Sequence, residues 1–269
     1  MALNLDKIKA RLNTLSNTDQ NKKLFWKPVK GKQTVRIVPY KFSPENPFIE
    51  LKFHYGLGGK TYISPDTFGR PDPVVEFANK LKKTGDKEDW KKGRTLEPKM
   101  RTYAPVIVRG QESEGVKFWG FGKQVYEEIL NIINDADYGD ITDLTTGRDI
   151  LVEFKEAIET GKSFPETSIR VKPNQTPAVD PANKELISLL GKQVNIIELY
   201  EEKSYEELKD ILKQHLNPSQ ENGEDVSPTL TEEEAAAPKA ASASSALNAS
   251  SAPNSKKEIE AAFDNLFNT

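Results

Sequence analysis

Residues 99–123 read KMRTYAPVIVRGQESEGVKFWGFGK, a pattern that predicts two short strands joined by a polar turn at 111–115. Side chains alternate faces along a strand. Lys99, Arg101 and Tyr103 therefore share one face of the first strand, and Ala104, Val106 and Val108 the other. In the second, Lys117, Trp119 and Phe121 share a face opposite Val116 and Phe118. One face of each strand is apolar and the other mixes cations with rings. The second composition suits an unpaired nucleic acid, because cations track phosphates and rings stack on bases. The same alternation also suits an ordinary sheet whose rings pack inside and whose lysines are solvated.

The rest of the chain supplies many short strands and a few helices. Strands are expected at 34–42 (Pro39 favouring an edge or bulge), 48–55, 60–64, 149–154, 168–172 and 193–197. GLGG turns 48–64 into a hairpin. Helical spacing predicts helices at 74–83, 124–133, 184–190 and 205–216, with Gly191 stopping the third. Residues 85–99 read as a charged loop. Ahead of the core, 4–15 is a short amphipathic helix with Leu5, Ile8, Leu12 and Leu15 in line and Lys7, Lys9 and Arg11 elsewhere. So short a helix needs a partner surface, on its own core or on another molecule. The expected class is mainly β with α insertions (α+β), a small β-barrel core carrying insertions.

Composition changes the picture after Pro218. There a low-complexity linker without a core-forming pattern begins, and a disordered acidic tail is expected. Its last dozen residues recover periodicity. Ser255 and Glu258 fit a capping box, and Ile259, Ala262, Phe263, Leu266 and Phe267 fall on one face. A short apolar helix at the end of a tether looks like a docking peptide. Net charge is −3 overall. Residues 218–269 carry nine acids and three bases, which leaves −3 − (−6) = +3 for residues 1–217. Nine bases face two acids within 22–62. A basic front and an acidic back thus conceal each other. Mean hydropathy is −0.64. No apolar run is long enough to cross a membrane, and the N-terminus lacks the order of a secretory signal. With no cysteine, disulfides, thiolate zinc sites and cysteine nucleophiles are excluded, and two histidines leave little for histidine catalysis.

VRIVPY, FIELKFHYGLGGKTYI, KMRTYAPVIV and VKFWGFGKQVYEEI come in an order and spacing that resembles the single-stranded-DNA-binding protein family of T-even-type bacteriophages. The YGDITDLTTGRDI segment is similar to that family's loop entering a later strand. The resemblance implies three parts: a basic arm for self-association at 1–21, an oligonucleotide-binding core at 22–217, and an acidic tail at 218–269. It implies cooperative, sequence-nonspecific binding of single-stranded DNA in replication, recombination and repair, in the cytoplasm of an infected bacterium. Implied partners are single-stranded DNA, further copies head to tail, and polymerase, helicase-loading or recombination proteins met through the tail, with no membrane. The family's small basic Lys/Arg-Ser/Thr motif is echoed by Lys99-Met100-Arg101-Thr102, whereas the arm keeps only Lys7, Lys9 and Arg11.

The DNA-contacting candidates are Lys27, Lys30, Lys32, Arg36, Lys41, Lys52, Lys60, Lys99, Arg101, Lys117 and Lys123, with Tyr40, Tyr55, Tyr62, Tyr103, Trp119 and Phe121 for stacking. Tyr103 and Trp119 lead, for their places beside Arg101 and Lys117. Self-association falls to Leu5, Lys7, Ile8, Lys9, Arg11 and Leu12, and partner docking to Ile259, Phe263, Leu266 and Phe267. No catalytic residue, cofactor or metal is expected. Members similar to the T-even protein hold a zinc through one histidine and three cysteines. His54 stands at that histidine, while Pro71-Asp72-Pro73-Val74-Val75 occupies the paired-cysteine region. Apolar packing by Val74, Val75 and Phe77 is expected to replace the metal, a set of His54, Asp66 and Asp72 being the alternative. Two other functions fit less well: a single-stranded RNA binder, separable only by a 2′-hydroxyl contact, and a metal-dependent nuclease, which would need converging acids where this chain has bases and rings.

Overall fold

The computed structural model describes residues 21–217 together with Phe263 and Leu266. The strands are β1 (Phe25–Trp26), β2 (Gly31–Ile37), β3 (Ile49–Leu57), β4 (Lys60–Ile63), β5 (Lys99–Val108), β6 (Lys117–Phe121), β7 (Arg148–Lys155) and β8 (Glu166–Gln175). The helices are α1 (Pro73–Lys83), α2 (Lys87–Leu96), α3 (Lys123–Asn134), α4 (Ala157–Thr160), α5 (Lys184–Leu190) and α6 (Tyr205–Leu216). This is a mixed α/β architecture in which strands dominate. The chain divides into two compact units, Met1–Glu50 with Arg101–Leu199 and Leu51–Met100 with Tyr200–Thr269.

The first unit is built on strands in the order β1-β6-β5-β2-β7-β8. β1 runs parallel to β6, and the remaining neighbours are antiparallel. β2 lies inside this order and is buried on both faces at its end. Val35, Arg36 and Ile37 are all 0% exposed. A buried guanidinium needs partners for its donors, and Arg36 has them. Its Nε donates to Asp149 Oδ1 at 3.1 Å, its Nη2 to the Thr176 carbonyl at 2.7 Å, and its Nη1 to the Asp143 carbonyl at 3.3 Å. Arg109 shares Asp149, with Nη2 at 2.7 Å from Oδ1. Burial is the main force on the Arg36 guanidinium and lowers its pKa. Gly147 makes room for this network: a Cβ there would stand 3.0 Å from Arg36 Nη1 and 2.3 Å from the Asp143 carbonyl oxygen.

The second unit combines the β3–β4 hairpin with α1, α2 and α6. Asp72 caps α1, its carboxylate accepting from the Val74 and Val75 N–H groups, with Pro73 at the first helical position. Val74, Phe77, Ala78 and Leu81 recur at helical spacing and are buried. Ser204 and Glu207 form the capping box of α6, which buries Leu208 and Leu212 in the same cluster.

A buried polar centre ties the hairpin to the start of α1. His54 Nε2 lies 2.9 Å from Asp72 Oδ2, His54 Nδ1 lies 3.0 Å from the Leu96 carbonyl oxygen, and Ser64 Oγ donates to Asp72 Oδ2. Both ring nitrogens lie within hydrogen-bond distance of an oxygen. Burial pushes the Asp72 carboxyl up, but the His54 ring, Ser64 and the Val75 N–H outweigh it and hold it below the usual carboxylate range. The donor set does not fit zinc: there is no thiolate, both His54 nitrogens are engaged, and Asp66 pairs with Lys52 at 2.6 Å. The expected apolar replacement is half the account. Val74 and Phe77 are buried and Val75 half-buried, but the hydrogen-bonded polar centre beside them was not expected.

Two other expectations give way. Residues 87–96 are helical rather than loop, because Asp86 accepts the Glu88 and Asp89 N–H groups and starts α2. The strand expected at 193–197 is a 3-10 turn at Ile196–Leu199, begun by Asn195 Oδ1 accepting the Ile197 N–H at 3.2 Å. The arm helix at 4–15, and the tail apart from Phe263 and Leu266, lie outside the described residues.

Asp72→Asn removes one partner of a buried pair and is expected to cost about 3–5 kcal/mol at pH 7 in urea unfolding. A carboxyl held low in the folded state stabilises above its unfolded pKa of about 3.9, and that contribution is lost as pH falls through the folded value. The deficit of the variant should therefore narrow below about pH 4. A deficit that stayed constant with pH would mean that the carboxylate charge is not what matters.

Candidate nucleic-acid interface

The β5–β6 register decides which rings face which way. Tyr103 pairs with Gly120, Ala104 with Trp119, Pro105 with Phe118 and Val106 with Lys117. Directly opposed residues share a face. Arg101 and Tyr103 therefore lie on the face of Gly120 and Phe118, while Trp119, Lys117 and Phe121 lie on that of Ala104 and Val106. The expected cation-and-ring face does not exist as drawn. The pairing joins the polar-looking face of one strand to the apolar-looking face of the other.

Each face carries its own row of rings. On the Trp119 side, Trp26 meets Trp119 with centroids 5.5 Å apart, Trp119 meets Phe121 at 4.8 Å, and Phe121 meets Tyr126 at 6.2 Å. Tyr126 then reaches Phe48 at 5.3 Å and donates its hydroxyl to Glu50 at 2.8 Å. Burial and that carboxylate push the Tyr126 phenol up to about 12. Trp119 is 1% exposed and Phe121 3%. Both are packing residues, and their expected stacking role is corrected: neither presents a ring face to a base.

The opposite row runs Phe42, Tyr40, Phe118, Phe25, Tyr103, with successive centroids 5.4, 6.0, 6.5 and 5.8 Å apart. Phe42 is 50% exposed and has Lys41 Nζ at 5.8 Å from its ring centroid. Phe25 is half-buried. Tyr40 and Phe118 form the buried base of the row, and the Tyr40 hydroxyl accepts the Ile196 N–H at 3.2 Å. Tyr40 is thus a packing residue rather than an open stacking ring. At the far end Tyr103 is 8% exposed and packs close to Gly120, where a Cβ would stand 2.8 Å from its Cε1. Arg101 lies beside it and donates from Nη2 to the Gly120 carbonyl at 2.9 Å. One exposed ring, one half-buried ring and a cation at each end therefore share a single face of the first unit.

The remaining cations divide by environment. Arg36 is withdrawn from any surface role because its guanidinium is fully buried and bonded to Asp149, Asp143 and Thr176. Lys27, Lys30, Lys32 and Lys41 are exposed around β1 and β2. Lys30 sits 3.0 Å from Glu159, whose hydrogen bond raises the lysine pKa. Lys117 pairs with Glu114, and Lys123, the first residue of α3, with Glu127 at 3.3 Å. In the second unit Lys60 is exposed at the hairpin turn and Lys99 at the start of β5, while Lys52 is held by Asp66. Tyr55 and Tyr62 are half-buried. Tyr62 packs against the apolar cluster, and burial raises its phenol pKa.

Phe25 and Phe42 are the rings that sequence reasoning passed over. Phe25 depends on a two-residue strand parallel to β6 that no periodicity reveals. Phe42 carried a signal, a ring directly after a lysine beyond the Pro39 break. Of the docking residues, Ile259 and Phe267 lie outside the described set, as do all six self-association residues. Phe263 is 4% exposed inside its own chain, so it is covered in this structure, not presented to a partner.

The family described as gp32 DNA-binding-protein-like matches residues 29–217. That span is most of the chain, and the chain belongs to this family. Single-stranded DNA binding, in general terms, follows from that membership. A search of curated proteins found no match.

Because the two rows differ in burial, alanine should separate them. Trp119→Ala is expected to lower stability by about 3–5 kcal/mol, whereas Phe42→Ala should stay within about 0.5 kcal/mol. Chemical denaturation of both variants checks this. Equal effects would mean that the burial assignment of one ring is wrong.

Proposed function

We propose that the chain binds single-stranded DNA cooperatively and without sequence preference, with bases held on the Phe42–Phe25–Tyr103 face and phosphates tracked by surrounding lysines. The observation that carries this reading is the ring row itself, with Lys41 at one end and Arg101 at the other. Rings supply sequence-tolerant stacking and cations supply phosphate attraction. The strand order that supports the face is read as an oligonucleotide-binding sheet. In this reading the setting is replication, recombination and repair of phage DNA in the host cytoplasm. The arm serves self-association, and the tail recruits polymerase, helicase-loading or recombination proteins.

Titration with a short oligothymidylate tests the face. Phe42→Ala should weaken binding by about 1–3 kcal/mol. Lys41→Gln should flatten the dependence of log affinity on log salt by about 0.7. Affinity unchanged in both would remove the face from the site. Matched DNA and RNA oligomers in the same titration decide the nucleic-acid class.

Deleting residues 1–21 should leave binding to a one-site oligomer intact and abolish cooperativity on a long strand. Equal losses on both lengths would assign the arm to the folded core instead.

A further inference from the structure

The described residues of the second unit include two from far along the chain. Phe263 lies within the cluster of Phe77, Leu81, Leu208 and Leu212, and Leu266 packs against it half-buried. The Phe263 ring meets Phe77 edge-on, with centroids 5.8 Å apart. Both residues are helical, and positions three apart lie on one side of a helix. One apolar side of a C-terminal turn is therefore seated on α1 and α6.

We propose that the apolar cleft formed by α1 and α6 is a receptor for this chain's own C-terminal helix. The seat holds the same Phe263–Leu266 face that a partner would need, so in the resting protein that face is covered. A partner engages it only by displacing it from α1 and α6. The kind of partner that fits is a protein with an apolar groove of its own for a Phe-x-x-Leu helix. The receptor half of this inference stands whether or not the chain binds DNA. The displacement half rests on the tail-recruitment reading.

The contact is apolar and intramolecular, and both properties are measurable. A tethered segment competes with added peptide at an effective concentration on the order of millimolar. Labelled peptide 255–269 at micromolar concentration should therefore bind the full chain carrying Phe263→Ala and Leu266→Ala at least tenfold more tightly than it binds the wild-type chain. That binding should survive high salt, since screening acts on charges and not on apolar burial. Equal binding by both chains, or none by the double variant, would overturn the proposal. A second measurement needs no variant. The amides of Phe263 and Leu266 should exchange with deuterium more slowly in the full chain than in the free peptide, and equal rates would also overturn it. Sedimentation of the wild-type chain distinguishes the occupant. A concentration-independent monomer supports the intramolecular seat, whereas a dimer lost in the double variant would assign the cleft to a second copy. Failure of DNA binding alone would leave these readouts unmoved.

Discussion

The ladder between β5 and β6 is the constraint on which the first unit depends. Five residue pairs set it, from Thr102 against Phe121 to Val106 against Lys117. A slip of one residue would move every ring of β6 to the opposite side of the sheet. Trp119 and Phe121 would then leave the core row for solvent, and Phe118 would lose its place beneath Phe25 and Tyr40. Gly120 secures the arrangement locally, since only a residue without a side chain lets Tyr103 and Arg101 lie against β6 there. β1 secures it from the other edge, its two residues matching Phe25 to Phe118 and Trp26 to Trp119. The unit keeps one aromatic row dry and the other partly open through this single alignment.

Each unit also contains a buried charge with satisfied bonds. In the first, Arg36 and Arg109 converge on Asp149, which draws β2, β7 and the segments around Asp143 and Thr176 to one point. In the second, His54 and Ser64 converge on Asp72. Buried ion pairs are weak sources of net stability, but breaking one is costly. Their contribution is best read as specificity of arrangement. Alternative packings of the same apolar residues would strand a charge in the interior.

Much of this was legible from the sequence where a local rule governs. The helices at α1, α3, α5 and α6 follow from caps and from apolar positions at helical spacing, and the β3–β4 hairpin follows from its glycine turn. Reading failed where the outcome depends on residues distant in sequence. Alternation placed Tyr103 and Trp119 on mixed faces but could not say which face of β5 meets which face of β6, because register is set by pairing. Arg36 looked like a surface cation because Asp149, Asp143 and Thr176 stand more than a hundred positions away. Phe25 gave no signal, since a two-residue strand has no period. The loop expected at 85–99 hid a cap in Asp86 beneath its high charge.

The His54–Asp72 centre has a consequence for the conditions in which the protein keeps its shape. A unit fastened by metal and thiolates depends on the supply of that metal and on reducing surroundings. This chain has no cysteine, and His54 is bonded to a carboxylate and a backbone carbonyl. Chelators and peroxides have no sulfur–metal bond here to attack. The centre is sensitive instead to acid, which protonates the carboxylate that also caps α1.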